Sequence, residues 1–68
     1  MISDIRTLSE GKHLKFRADG VDCIAFGMGS MSQILNPGQL VDLAFYLEIN
    51  RFNGSENIQL KVKDLLLV

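Results

Sequence analysis

Cysteine and histidine are nearly absent from this chain: Cys23 and His13 are single copies among 68 residues. One thiol closes no disulfide within the chain. One thiol and one imidazole also fall short of the usual zinc ligand set. A lone cysteine fits a reducing compartment. An excess of charge is missing too, the formal net charge being −1. A role in nucleic-acid binding must therefore rest on where the charges lie, not on their sum. The longest apolar run, Leu65 to Val68, is far too short to cross a bilayer. The start, MISDIRTLSEG, lacks the basic and apolar regions of a signal peptide. These absences point to a soluble cytoplasmic domain. A chain this small buries only about 60% of its unfolded surface, so its core has to be efficient.

What the chain does have is one long alternating stretch, Gln39 to Asn50 (QLVDLAFYLEIN). Val41, Leu43, Phe45, Leu47 and Ile49 recur at a spacing of two, with Asp42, Tyr46, Glu48 and Asn50 between them. Alternation of this kind marks a half-buried strand. Its length suits a strand curling around a small barrel, since about five or six residues is usual. The odd row is expected to face the core, so truncating a buried Phe45 to alanine would cost about 3–5 kcal/mol.

Around it the other elements fall in order. Ile2 to Leu8 is a weak strand ending in a Ser9-Glu10-Gly11 turn. From His13, the residues Leu14, Phe16 and Ala18 share one face, and His13, Lys15 and Arg17 the other. Asp19-Gly20 marks a hairpin into Val21 to Phe26. A two-residue turn puts Cys23 and Ala25 beside Phe16 and Leu14, whereas a three-residue loop with a bulge at Gly20 puts Ile24 and Phe26 there. The second register is favoured because it buries the larger groups. Ser30 is expected to cap a short helix, Met31 to Leu35, stopped by Asn36-Pro37-Gly38. After the long strand, Arg51 to Asn57 reads as a hairpin loop. A last strand, Ile58 to Asp64, turns Ile58, Leu60 and Val62 inward and Gln59, Lys61 and Lys63 outward. Three strands, a short helix and two strands is the order of the all-β, five-stranded Greek-key OB-fold barrel. The uncapped apolar end, Leu65 to Val68, suggests a single domain (residues 1–68) cut from something longer.

The phrases GKHLKF (Gly11 to Phe16), DCIAFG (Asp22 to Gly27) and LEINRFNG (Leu47 to Gly54), followed by a strand opening IQL, resemble one family in order and spacing. The chain is similar over nearly its whole length to the OB-fold domain of RecJ, the bacterial exonuclease that degrades single-stranded DNA from the five-prime end. The resemblance implies an accessory domain that binds single-stranded DNA inside a larger nuclease, beside that nuclease's catalytic domains. It also implies a manganese- or magnesium-dependent catalytic core built on Asp-His-His motifs. This chain lacks those motifs, so the chain itself is expected to carry no cofactor and no catalytic residue.

Candidate binding residues follow from the strand faces. His13, Lys15 and Arg17 on strand two lie where OB-folds receive a phosphate backbone; the bland alternative is a solvated outer face. Lys61 and Lys63 either widen that surface or solubilise an exposed strand. Arg51 and Phe52 sit in the loop between strands four and five. There Phe52 either stacks on a base or plugs the barrel end, as loop phenylalanines more often do; Tyr46 has the same two readings. Gly27 to Ser30 lacks the lysine and spacing of a phosphate loop and reads as a connector. Asp42, Glu48 and Asp64 are unpaired carboxylates that solvate strand exteriors. The rival to a DNA-guiding role is a structural module that docks domains or a protein partner.

Overall fold

The alternating segments become five strands and one short helix in the computed structural model, which describes residues 1–68. The strands are β1 (Ile2–Leu8), β2 (His13–Ala18), β3 (Val21–Ala25), β4 (Val41–Phe52) and β5 (Ser55–Leu67), and a 3-10 helix (Gly29–Gln33) lies between β3 and β4. The sheet runs β1-β2-β3-β5-β4. All neighbours are antiparallel except β3 and β5. This is the expected OB-fold order, with the sheet left open between β1 and β4. Only backbone bonds near Ile2 span that gap, from the Ile2 N–H to the Gln39 carbonyl (3.1 Å) and from the Gly38 N–H to the Ile2 carbonyl (2.7 Å). No helix is long and apolar enough to cross a membrane.

Two hairpins depart from the sequence expectation, and both for the same reason. Ala18 pairs with Val21 across a two-residue turn in which Asp19 and Gly20 have φ of 50° and 83°. Phe52 pairs with Ser55 across Asn53 and Gly54, at 50° and 77°. Two successive positive φ values give the primed turn whose twist matches the strands it joins, and Asp-Gly and Asn-Gly favour it. The first turn overturns the favoured register. Cys23 and Ala25 are fully buried opposite Phe16 and Leu14, while Ile24 and Phe26 face outward. Small residues on β3 leave room for the large ones on β2, so volume is shared across the pair. The second turn converts the expected Arg51 to Asn57 loop into strand and lengthens β4 and β5 into a projecting ribbon.

The core consists of Ile2, Leu14, Phe16, Cys23, Ala25, Leu35, Val62 and Leu65. β4 contributes less than its pattern promises. Val41 and Leu43 pack against the core, but Phe45 is 48% exposed, Leu47 61% exposed, and Ile49 is exposed as well. Their side of the strand is as expected, because Phe45 lies opposite Val62 and Leu47 opposite Leu60. What is missing is a second layer. β3 pairs with β5 only at Gln59, Leu60 and Lys61, and the ribbon runs on past that contact. A bulge where the β4–β5 register slips, between Ala44 and Phe45, lets both Val62 and Leu65 point inward although they are three positions apart.

The helix also starts earlier than expected. It spans Gly29–Gln33, and Met28 holds the N-cap position without a side-chain bond, so Ser30 is not the cap. The anchor is Gly29, buried against the β1–β2 turn, whose N–H donates to the Lys12 carbonyl at 3.1 Å. A Cβ there would overlap the Gly11 carbonyl. Gly29→Ala is therefore expected to cost about 1–3 kcal/mol through forced backbone movement. An unchanged denaturant midpoint would show that this contact is loose.

Cys23 is buried, and burial pushes its thiol pKa up. A raised value favours the folded thiol. That contribution is complete below the unfolded thiol's pKa, about 8.5, and is lost as pH climbs through the folded one. Iodoacetamide should alkylate the native chain only as fast as it unfolds. Alkylation at the rate of a free thiol would instead mean that Cys23 faces outward.

Candidate nucleic-acid interface

Strand pairing assembles a transverse row across all five strands. Arg6 lies opposite Lys15, Lys15 opposite Ile24, Ile24 opposite Lys61, and Lys61 opposite Tyr46. Directly paired residues share a face, so this row lies on the outside of the sheet, away from Phe16 and Cys23. At about 4.8 Å per strand it spans roughly 19 Å. Lys63, on the β5 bulge, joins it: its ammonium sits 5.5 Å from the centre of the Tyr46 ring.

Two half-exposed aromatic rings stand in this band. Phe26 is 54% exposed and Tyr46 56%. Lys61 Nζ lies 5.6 Å from the centre of the Phe26 ring. His13 meets Phe26 edge-on, with centroids 5.2 Å apart and planes at 74°. The Gly27 N–H donates to His13 Nδ1 at 2.9 Å, which fixes the imidazole. His13 thus steadies Phe26 and the strand end. Cation–π attraction of about 0.5–1 kcal/mol at such exposed sites biases each lysine toward its ring.

The acids lie in the adjoining row. There Arg17 is opposite Asp22, Asp22 opposite Gln59 and Gln59 opposite Glu48. Arg17 Nε is 3.4 Å from Asp22 Oδ1, and the Arg17 guanidinium also donates to the Gly20 carbonyl at 2.8 Å. Arg51 Nε pairs with Glu56 Oε1 at 3.0 Å. By contrast, Arg6, Lys15, Lys61 and Lys63 have no carboxylate within ion-pair distance. A chain of net charge −1 therefore places four of its five unpaired Lys and Arg side chains on one band of one face, the fifth being Lys12 in the β1–β2 turn.

The seven residues singled out from the sequence thus divide. His13, Lys15, Lys61 and Lys63 come together. Arg17 lies beside them with its charge engaged. Arg51 and Phe52 sit at the far tip of the ribbon, six residues beyond Tyr46 or about 20 Å along the strand. Arg51 is on the opposite face, with the Ile49 row. Phe52, 74% exposed, plugs nothing. Sequence reasoning misses two members of the band. Phe26 is lost to the wrong hairpin register, which the Asp-Gly dipeptide argued against. Arg6 is hidden because β1 bulges at Asp4 (φ 51°), which blurs its alternation.

The chain has no group of three or more His, Cys, Asp or Glu side chains able to hold a metal ion. Asp42 and Asp64 are diagonal neighbours that line one shallow cleft with Ala44 and Leu66, while Glu48 lies further along the ribbon, opposite Gln59.

Comparison with known proteins agrees with this architecture. The family described as the RecJ OB domain matches residues 1–64. Among solved structures, the crystal structure of RecJ in complex with Mn2+ from Thermus thermophilus is similar, with a TM-score of 0.66 and 30% sequence identity. The similarity covers 94% of this chain and 9% of that one. No significant match is found among curated proteins.

Proposed function

Because the chain belongs to the RecJ OB domain family, we propose that it binds single-stranded DNA and guides the strand toward the catalytic core of a larger RecJ-like exonuclease. The observation that carries this reading is the band of unpaired cations, Arg6, Lys15, Lys61 and Lys63, set among the half-exposed rings of Phe26 and Tyr46. Phosphates meet the cations, and bases stack on the rings for about 1–3 kcal/mol each. Neither interaction reads base edges, so sequence preference is weak. OB-folds receive single strands across strands two and three, where Lys15 and Phe26 stand.

Cleavage belongs to the catalytic domains of the larger enzyme. The manganese or magnesium of that core has no ligand set here, and this chain's residues do not fit such a metal. Their part is to neutralise phosphates, hold bases apart on aromatic faces and set the path of the strand.

Titrating a labelled oligonucleotide at low and moderate salt tests the reading. Binding should weaken with salt at a logarithmic slope of about −2 to −3, about 0.7 per phosphate met by the free cations. Added manganese should leave the oligonucleotide uncut. No binding at low salt, either by this chain or by the longer enzyme, would sink the proposal.

A further inference from the structure

We propose that His13 serves strand binding as a neutral positioning residue and not as a cation: its Nδ1 takes the place of a missing ladder bond and keeps the Phe26 ring where a base can stack on it. The inference rests on the DNA-binding reading above and assigns one residue a role within it. Phe26 is not placed by the sheet. The β2–β3 ladder ends at the Leu14–Ala25 pair, one residue short of it. Gly27, at φ 75°, then turns the chain out of the sheet. Packing does not fix the ring either, since Phe26 is 54% exposed. The connector after β3 is instead tied back to the start of β2 at two consecutive residues. The Lys12 carbonyl accepts from the Gly29 N–H at 3.1 Å, and His13 Nδ1 accepts from the Gly27 N–H at 2.9 Å. The second bond adjoins Phe26 directly, and the imidazole that makes it also meets the Phe26 ring edge-on at 5.2 Å.

The bond decides the charge. A backbone N–H needs a lone pair to donate to, and an imidazolium offers none, because both of its nitrogens carry a proton. While the Gly27 N–H stays on Nδ1, His13 adds nothing to the neutralisation of phosphates. That separates it from Lys15, two residues along the same face of β2, although the strand pattern groups the two together. No carboxylate lies within ion-pair distance of the imidazole. Lys61 reaches the same ring from β5, with Nζ 5.6 Å from the ring centre. Phe26 is thus held between a cation that can meet phosphate and a neutral group that cannot. Losing the His13 bond would free the chain at Gly27, where glycine leaves the backbone most permissive, and the ring would no longer be tied to the band. A ring that must be ordered at the moment of binding lowers affinity, so placing it beforehand raises affinity without adding a contact.

A double-mutant cycle on single-stranded DNA binding tests this, in this chain and in the longer enzyme. His13→Ala should weaken binding about 2- to 10-fold, the cost of ordering one side chain, with the logarithmic salt slope unchanged. In a chain that already carries Phe26→Ala it should change nothing further. His13→Asn should restore the parent affinity, because the asparagine side-chain oxygen sits at the same place along the side chain as Nδ1 and accepts the same bond. It also keeps the test valid if His13→Ala folds poorly. The Gly27 amide should exchange faster in His13→Ala than in the parent or in His13→Asn. The proposal is overturned if His13→Ala weakens binding equally with and without Phe26, or if His13→Asn binds as poorly as His13→Ala. It is overturned as well if His13→Ala makes the salt slope shallower by about 0.7, as a lost phosphate contact would. Each of those results leaves the DNA-binding reading standing, whereas a parent that binds no DNA in either form sinks both.

Discussion

Phe16→Ala is expected to remove most of the stability of this domain. Phe16 is almost completely buried between Cys23, its partner on β3, and the remaining core side chains. Truncating a buried phenylalanine leaves a cavity and costs about 3–5 kcal/mol. A chain of this length has about 3–10 kcal/mol in total, so the variant should be largely unfolded at room temperature or melt far below the parent. Phe45→Ala supplies the contrast. Its side chain is half exposed, so about 1–2 kcal/mol is expected, well under the roughly 3–5 kcal/mol that the strand pattern alone suggests. Circular-dichroism melts of the two variants decide the matter. Equal losses would mean that β4 holds the core as firmly as β2 does.

That contrast shows what the sequence makes legible. Alternation identifies which residues share a face, and it does so correctly for β2, for β4 and for the end of β5 nearest the turn. It cannot say whether anything covers that face. Leu14 and Phe16 alternate no more regularly than Phe45 and Leu47. Yet Ile2, Leu35 and Val62 close over the first pair, and the protein leaves the second in the open. Exposure is settled by the length of β1 and by where β3 stops pairing with β5, both of them long-range facts.

Hairpin register is a different case, because its signal was local and was outweighed. Preferring to bury Ile24 and Phe26 treats the core as if larger were always better. Packing at fixed volume instead favours Cys23 and Ala25 opposite Phe16 and Leu14, and the Asp19-Gly20 turn already specified that pairing. A slip of one residue exchanges the two faces of a strand, so this single choice also hid Phe26 from the candidate site. Lys15, Lys61 and Lys63 were legible because charged side chains on a strand point outward in nearly any register. Their convergence into one row with Arg6 was not, since it depends on the parallel pairing of β3 with β5.

That convergence gives the sharpest functional expectation. Lys15→Ala with Lys61→Ala removes the two lysines that flank Ile24 in the row. Single-stranded DNA binding should weaken for every sequence, and the logarithmic salt slope should become shallower by about 1.4, at about 0.7 per contact. Phe26→Ala should cost a further 1–3 kcal/mol, roughly 5- to 150-fold in affinity, while leaving the salt slope alone, because stacking releases no counterions. Arg17→Ala should change the slope by less than the roughly 0.7 of a free contact, since Asp22 already engages that guanidinium. Arg51→Ala, on the opposite face and paired with Glu56, should change nothing. The lysine replacements should cost less than about 0.5 kcal/mol of fold stability, so altered binding cannot be laid to unfolding. Filter binding or anisotropy across a salt series reads all four variants together. If Arg51→Ala weakens binding as much as the lysine pair does, the strand crosses the ribbon tip and the transverse row is not its path. If none of the four moves affinity or slope, the outer face is solvated surface and the DNA-guiding reading fails.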